Sequence, residues 1–139
     1  ASGSALTVEL VAKAPGDQGG GPVLYQGRPI IAEHFRLPRG FDPDTIGVFN
    51  TNTFLVDSRR LAELTMDWTY VEVQKEVGER KAVQFERLLG EITMALRPRF
   101  AKVSRMGEDS RFLPMKSHAD LESARESIAA LMRRLGVAG

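Results

Sequence analysis

Six positions in this chain carry side chains, or lack one, in ways that suit the handling of a polar ligand. Lys116 closes the run Ser110-Arg111-Phe112-Leu113-Pro114-Met115-Lys116. A lysine ammonium is a compact point charge, suited to neutralising an anionic oxygen; an ordinary solvated surface lysine is the plainer alternative. Asn50 and Asn52 lie two apart in Phe49-Asn50-Thr51-Asn52. On an extended chain that spacing puts both on one side, and each carboxamide can donate to and accept from hydroxyls. A turn held by asparagine side chains explains the same pattern. Glu33 stands between Ile30-Ile31-Ala32 and His34-Phe35. A carboxylate there can accept two hydroxyls at once, or it can simply be an exposed strand residue. Gly19 and Gly20 allow a ligand close to the backbone, while Gly16 and Gly21 also permit a loose loop. Residues 97–116 hold six basic groups (Arg97, Arg99, Lys102, Arg105, Arg111, Lys116) against two acidic ones (Glu108, Asp109). That excess suits a phosphate-rich ligand, although a solvated charged face accounts for most of it equally well and Arg111 reads as structural.

Other chemistries are excluded or disfavoured. There is no cysteine, so there is no disulfide, thiol nucleophile or cysteine-based zinc site. His34 and His118, the only histidines, lie far apart with no metal-ligand spacing and no triad arrangement around them. Nineteen basic and eighteen acidic residues give a net charge of +1, too little for a protein held on nucleic acid by bulk charge. No apolar run approaches the roughly 20 residues that span a membrane. A chain of 139 residues, 42% hydrophobic and 27% charged, fits one compact domain with a modest core. The cysteine-free composition is compatible with the cytoplasm. Ala1-Ser2-Gly3-Ser4 reads as a cut end or cloning scar, segment 1–5 of the organisation.

The elements that must position these residues alternate between strand and helix. Leu6 to Val11, Pro22 to Tyr25 and Ile30-Ile31 read as strands, separated by a Gly- and Pro-rich loop over Ala14 to Pro22 and by a Gly27-Arg28-Pro29 turn. Asp42-Pro43 suits the start of a short helix. Asn50 to Thr53 forms a polar knot between apolar Val48-Phe49 and Phe54-Leu55-Val56, the pattern of a strand crossing a pocket edge. Ser58 to Met66 is expected to be a short helix with Leu61 and Leu64 inward, and Trp68 to Val77 is extended up to a Gly78 turn. Phe85, Leu88, Leu89, Ile92 and Leu96 recur at helical spacing and predict an amphipathic helix over Val83 to Leu96. Phe100 to Ser104 and Arg111 to Met115 read as strands. Ser117 to Leu135 is the clearest helix: Ser117 caps it, Asp120 sits in the first turn, and Gly136 stops it. Its stripe of Leu121, Ala124, Ile128, Leu131, Met132 and Leu135 is expected to be core. The class is α/β or α+β.

Four segments, in order, give the chain a family likeness. They are Gly19-Gly20 with Tyr25-Gln26-Gly27-Arg28-Pro29 and Glu33; Phe49-Asn50-Thr51-Asn52; Lys75 and Gly78 with Gln84-Phe85-Glu86 and Gly90; and Ser110 to Lys116 followed by Asp120-Leu121. Together they resemble the UTP–glucose-1-phosphate uridylyltransferase (UDP-glucose pyrophosphorylase) family over roughly residues 6–122. Gln18, Gly21, Thr53 and Arg36 stand where the family has lysine, threonine, a second asparagine and glutamine, and these departures bear on which sugar is taken.

The resemblance implies an α/β fold: part of a nucleotide-diphospho-sugar transferase domain, Rossmann-like with a mixed sheet, whose N-terminal nucleotide-binding half is lacking. It implies the sugar-side part over 6–122 and a C-terminal amphipathic helix over 117–135. The implied reaction takes UTP and a sugar 1-phosphate, glucose by default, to UDP-sugar and pyrophosphate. In it Lys116 matches the catalytic lysine on the phosphates, and Gly19, Gly20, Glu33, Asn50 and Asn52 match sugar-binding positions. Mg²⁺ is expected with the nucleotide, on ligands outside this chain, and no metal ligand is assigned within it. The family's Gly-Gly-x-Gly-Thr loop for the UTP phosphates has no counterpart here, so the chain is expected to act with the remainder of a catalytic domain, to be inactive alone and to expose sheet edges that invite self-association. A non-catalytic module binding sugar or nucleotide-sugar remains the alternative, and an anion or RNA binder using the basic stretch a distant third.

Overall fold

A computed structural model of the chain describes residues 3–17, 19–110 and 112–137. Gln18, Arg111 and the outermost terminal residues, including half of the expected Ala1–Ser4 scar, lie outside them. The chain divides into two units, Ala1–Ala101 and Lys102–Gly139.

In the first unit a three-stranded mixed sheet runs in the order β4 (Val48–Val56), β1 (Leu6–Ala12), β7 (Pro98–Lys102). β1 and β4 are antiparallel, and the sheet's one parallel pair is therefore β1 with β7. As the central strand, β1 is buried along most of its length, which explains its apolar composition. Leu6, Val8 and Leu10 alternate onto one face and join Ile31 and Ile92 in the core, with Phe54, Leu64, Trp68, Leu96 and Phe100 packed around them.

A hairpin of β2 (Gly21–Tyr25) and β3 (Arg28–Ala32) flanks the sheet. Tyr25 pairs with Arg28 across a two-residue turn, Gln26-Gly27, in which both φ angles are positive (49° and 74°). Such a turn matches the right-handed twist of the strands. Alternation from that tight pair puts Pro29 and Pro22 opposite Leu24 and Ile31, at positions whose backbone nitrogens point away from the partner strand. A second hairpin, β5 (Tyr70–Val77) with β6 (Arg80–Arg87), closes over Gly78 at φ 62°.

The short helices follow their caps. Asp42 accepts from the Asp44 N–H at the start of a 3-10 turn over Pro43–Thr45. Asp57 accepts from the Arg59 and Arg60 N–H groups and starts α1 (Ser58–Ala62), which is shorter than expected; Leu61 is exposed while Leu64 reaches the core.

The amphipathic helix expected over Val83–Leu96 does not form. The stripe mixes two unrelated runs. Val83 and Phe85 belong to β6, where they are exposed; Leu89 lies in a 3-10 turn over Leu89–Glu91, Ile92 starts α2 (Ile92–Ala95), and Leu96 is already extended. Gly90 separates the runs: a Cβ there would stand 3.0 Å from the Ile31 Cγ2. A β-branched and aromatic segment facing a valine-rich strand across a Gly78 turn prefers the hairpin, so pairing overrides the accidental 3.6 spacing.

The second unit consists, among the described residues, of irregular stretches over 103–110 and 112–117 and of α3 (His118–Arg134). Ser117 caps α3 by accepting from the Asp120 N–H, Arg133 and Arg134 occupy the last turn, and Gly136 (φ 68°) ends it. The strand expected over Arg111–Met115 is absent from its described residues, 112–115, which include the donor-less Pro114. The apolar stripe of α3 is also less enclosed than expected: no α3 residue is buried, and Leu121 and Leu135 are exposed. Leu131 of the stripe faces an open cleft of about 820 Å³ that is also lined by Arg105, Met106, Phe112, Leu113 and Pro114.

Candidate functional site

Four of the six candidate residues come together in the first unit through close contacts and hydrogen bonds. The Gly20 backbone lies against the Glu33 carboxylate, and its N–H favours the charged form. The Asn50 N–H in turn donates to the Gly20 carbonyl, at 2.8 Å. Asn52 is tied to Asn50: the Asn52 N–H donates to Asn50 Oδ1 at 2.9 Å, and Asn50 Nδ2 donates to Asn52 Oδ1 at 3.1 Å. Gly19 adjoins this cluster against the Phe49 ring.

The glycine pair is tight rather than loose. A Cβ on Gly20 would lie 2.6 Å from Glu33 Oε1 and 2.9 Å from Ile31 Cγ2, and one on Gly19 would lie 2.9 Å from Phe49 Cδ2. These glycines are therefore required by close approach of neighbouring side chains, and they leave the Glu33 carboxylate against bare backbone.

Glu33 follows β3 and is half-buried. Burial pushes its carboxyl above the ordinary value; the Arg36 guanidinium and the Gly20 N–H oppose this without cancelling it. Arg36 is held by a different partner. Its guanidinium lies 2.6 Å from Oε1 of Glu91, as an ion pair without an aligned hydrogen bond. Oε2 of Glu91 accepts from the Thr69 N–H at 3.0 Å. Burial alone would raise the Glu91 carboxyl, but the Thr69 N–H and the Arg36 charge outweigh it and hold it below the ordinary value. Arg36 and Glu91 line an open cleft of about 310 Å³ together with Met66, Asp67, Thr69 and Met94.

Asn50 and Asn52 sit in an irregular stretch of β4. Val8 pairs with Phe54 and Leu10 with Asn50, so the single residue Glu9 faces three residues, Thr51 to Thr53. The excess bulges outward, and Asn52 takes φ 63°, a left-handed conformation that asparagine tolerates. Asn50 is buried, at 6% exposure, whereas Asn52 is exposed. The two asparagines thus differ: Asn50 braces the bulge and Asn52 faces outward.

Lys116 belongs to the second unit. It is exposed, and its backbone N–H donates to Asp120 Oδ2 at 2.9 Å, just ahead of the Ser117 cap. Arg105 lies over the Phe112 ring, and Arg134 donates to the Ser110 carbonyl at 3.2 Å beside the 820 Å³ cleft.

Sequence reasoning missed Glu91 and Glu9. Glu91 was hidden because the helix expected over Val83–Leu96 gave it a solvent face; its signal was a lone acid next to Gly90 inside an apolar stretch. Glu9, between Val8 and Leu10, has the pattern of the polar residue in an alternating strand, yet it is 6% exposed. A central strand buries both faces, so its polar residue goes inside as well.

Among the described residues no three His, Asp or Glu side chains converge in a way that could hold a metal ion. Among the described residues no helix is long and apolar enough to cross a membrane. Compared with known proteins, the chain matches no family model and no curated protein.

Proposed function

We propose that this chain supplies the sugar side of a cytoplasmic nucleotidyltransferase of the UTP–glucose-1-phosphate uridylyltransferase type. The observation that carries the reading is the gathering of Gly20, Glu33, Asn50 and Asn52, from three separate segments, into one cluster of close contacts and hydrogen bonds. On this reading the Glu33 carboxylate accepts sugar hydroxyls, the Asn52 carboxamide donates to a sugar oxygen, and the Gly19-Gly20 backbone leaves room for the ring. Lys116 supplies the positive charge. An oxygen of the sugar phosphate attacks the α-phosphorus of UTP, the bond to the β-phosphate oxygen breaks, and pyrophosphate leaves. A fixed ammonium lowers the barrier by stabilising charge that builds on the phosphoryl oxygens. UTP and its Mg²⁺ would be held by the remainder of a catalytic domain. The described residues of this chain offer no cluster for that metal.

The test is pyrophosphate release from UTP and glucose 1-phosphate by the complete polypeptide that carries these residues. Release should depend on the sugar phosphate. Lys116→Ala should lower kcat by about 10²-fold or more with an unchanged melting temperature. Absence of sugar-phosphate-dependent release overturns the reading, and near-normal turnover in Lys116→Ala removes that residue's role.

One observation favours a second reading, a module that binds sugar or nucleotide-sugar without chemistry. The sugar-facing cluster is complete within the first unit, and Lys116 lies in the second. Saturable UDP-glucose binding by a complete polypeptide that releases no pyrophosphate would select this reading.

A further inference from the structure

The buried carboxylate of Glu9 has no role in the chemistry proposed above. Burying a carboxylate costs several kcal/mol unless it is hydrogen-bonded, so its contacts show what it holds. Oε1 of Glu9 accepts from the Thr51 hydroxyl at 3.1 Å, and the same hydroxyl lies 3.5 Å from the Glu9 carbonyl. Thr51 is the residue between the two asparagines and the first of the three that bulge out opposite Glu9.

We infer that Glu9 is a positioning residue for Asn52, and that through it the site selects a hydrogen-bond acceptor on the ligand. This rests on the sugar-binding reading. Pinning Thr51 fixes the start of the bulge, and the bulge places Asn52 at φ 63°. The orientation of the Asn52 carboxamide then follows from hydrogen-bond accounting. Asn50 Oδ1 accepts from the Asn52 N–H, so the amide nitrogen of Asn50 is the end that faces Asn52 Oδ1 and donates to it. With its oxygen engaged, exposed Asn52 turns its NH₂ group outward as a donor. The ligand atom met there must be an acceptor, such as a sugar hydroxyl or ring oxygen. Loss of the Glu9 contact frees Thr51, relaxes the bulge and lets the Asn52 amide turn, with no direct contact between Glu9 and ligand.

The test follows the Asn52 side-chain amide by NMR in the complete polypeptide that carries these residues, with UDP-glucose as the titrated probe. In Glu9→Ala the Asn52 NH₂ signals should move to free-amide positions, and UDP-glucose affinity should fall roughly tenfold, the loss of about one well-placed hydrogen bond. In an Asn52→Ala background Glu9→Ala should cause no further loss, and Glu9→Gln, which keeps an acceptor for Thr51, should restore binding. Multiplying losses in the double variant, or an Asn52 amide unmoved by Glu9→Ala, overturns the inference. Where Glu9→Ala does not fold, Thr51→Val decides, since it removes the hydroxyl at constant shape: a shifted Asn52 amide supports the inference and an unshifted one overturns it. An Asn52 amide that responds to Glu9→Ala in a chain that binds no UDP-glucose supports the positioning and sinks the sugar-binding reading instead.

Discussion

Replacing Gly20 by alanine tests the packing and the proposed site together. The added methyl would lie 2.6 Å from Glu33 Oε1, 2.9 Å from Ile31 Cγ2 and 3.0 Å from Glu33 Cδ, where ordinary contact begins near 3.4 Å. The carboxylate end is flexible and can swing aside. Ile31 cannot, because it is buried in the core and its backbone N–H is tied to Thr93. Overpacking of this kind costs about 1–3 kcal/mol. At a urea slope of about 1–3 kcal/mol/M, the unfolding midpoint should fall by roughly 1 M. Trp68 is the only tryptophan and packs against the core, so its fluorescence reports the transition. On the proposed reading the displaced carboxylate also loses its alignment with the ligand, and UDP-glucose affinity should fall roughly tenfold or more. Glu33→Ala in the Gly20→Ala background removes the flexible half of the clash and leaves the Ile31 half. It should therefore recover only part of the stability and none of the binding. A Gly20→Ala chain with wild-type midpoint and affinity would show that the tight approach of Gly20, Glu33 and Ile31 has no energetic consequence, and the site as built here would fall with it.

Thr93→Val should destabilise by about 1–3 kcal/mol, because the fully buried Thr93 hydroxyl accepts from the Ile31 N–H at 2.9 Å and donates to the Gly90 carbonyl at 2.6 Å, and valine orphans both. Faster amide exchange at Ile31 is the local readout, and unchanged protection there would refute the link between β3 and α2. Glu33 and Glu91, perturbed in opposite directions, should act in opposite pH windows. Glu33 is raised above its ordinary value of 4.5, so the folded state holds its proton more tightly and stability falls as pH rises from 4.5 through the raised value; Glu33→Gln should abolish that decline. Glu91 is lowered, so its contribution is present above 4.5 and lost as pH falls through the lowered value; Glu91→Gln should flatten this acid-side loss and lower stability at neutral pH by leaving Arg36 without its partner. Urea midpoints between pH 3 and 8 measure both.

The strands and caps that sequence shows best are those set by local chemistry. The strand begun at Leu6 alternates, Gly27 turns (though Arg28 and Pro29, expected in the turn, already belong to β3), and Asp42 and Ser117 cap, each through contacts within a few residues. What sequence does not show depends on distant partners. The spacing of Phe85, Leu88 and Ile92 satisfies a helix, but β5 offers Phe85 a strand to pair with, and Gly90 meets Ile31 from far along the chain. The same holds within the site. The types of Glu33, Asn50 and Asn52 are visible in the sequence. That Asn50 is turned inward as a brace, and that Gly20 is held against Glu33, follows only from β2, β3 and β4 meeting.

The charges around the cluster restrict what it can face. When ionised, Glu33 can only accept hydrogen bonds, and its raised pKa already reflects the cost of burying a charge beside apolar Ile31. A phosphate brought against it would add a second negative charge to a poorly solvated place, where like charges repel strongly. Arg36 is the near cation, and Glu91 holds it at 2.6 Å. The cluster therefore suits neutral hydroxyl groups: donors toward Glu33 and an acceptor toward Asn52, a pairing that adjacent hydroxyls of one sugar ring supply. A phosphorylated ligand seated there must carry its phosphate away from Glu33, toward a cation that the cluster itself does not provide. On the proposed reading Lys116 fills that need. The division also predicts that glucose 1-phosphate affinity in Lys116→Ala loses its dependence on ionic strength, whereas Glu33→Gln keeps that dependence and loses discrimination between sugars, and isothermal titration across a salt series separates the two. Equal salt slopes in the two variants would mean that the phosphate is not met by Lys116.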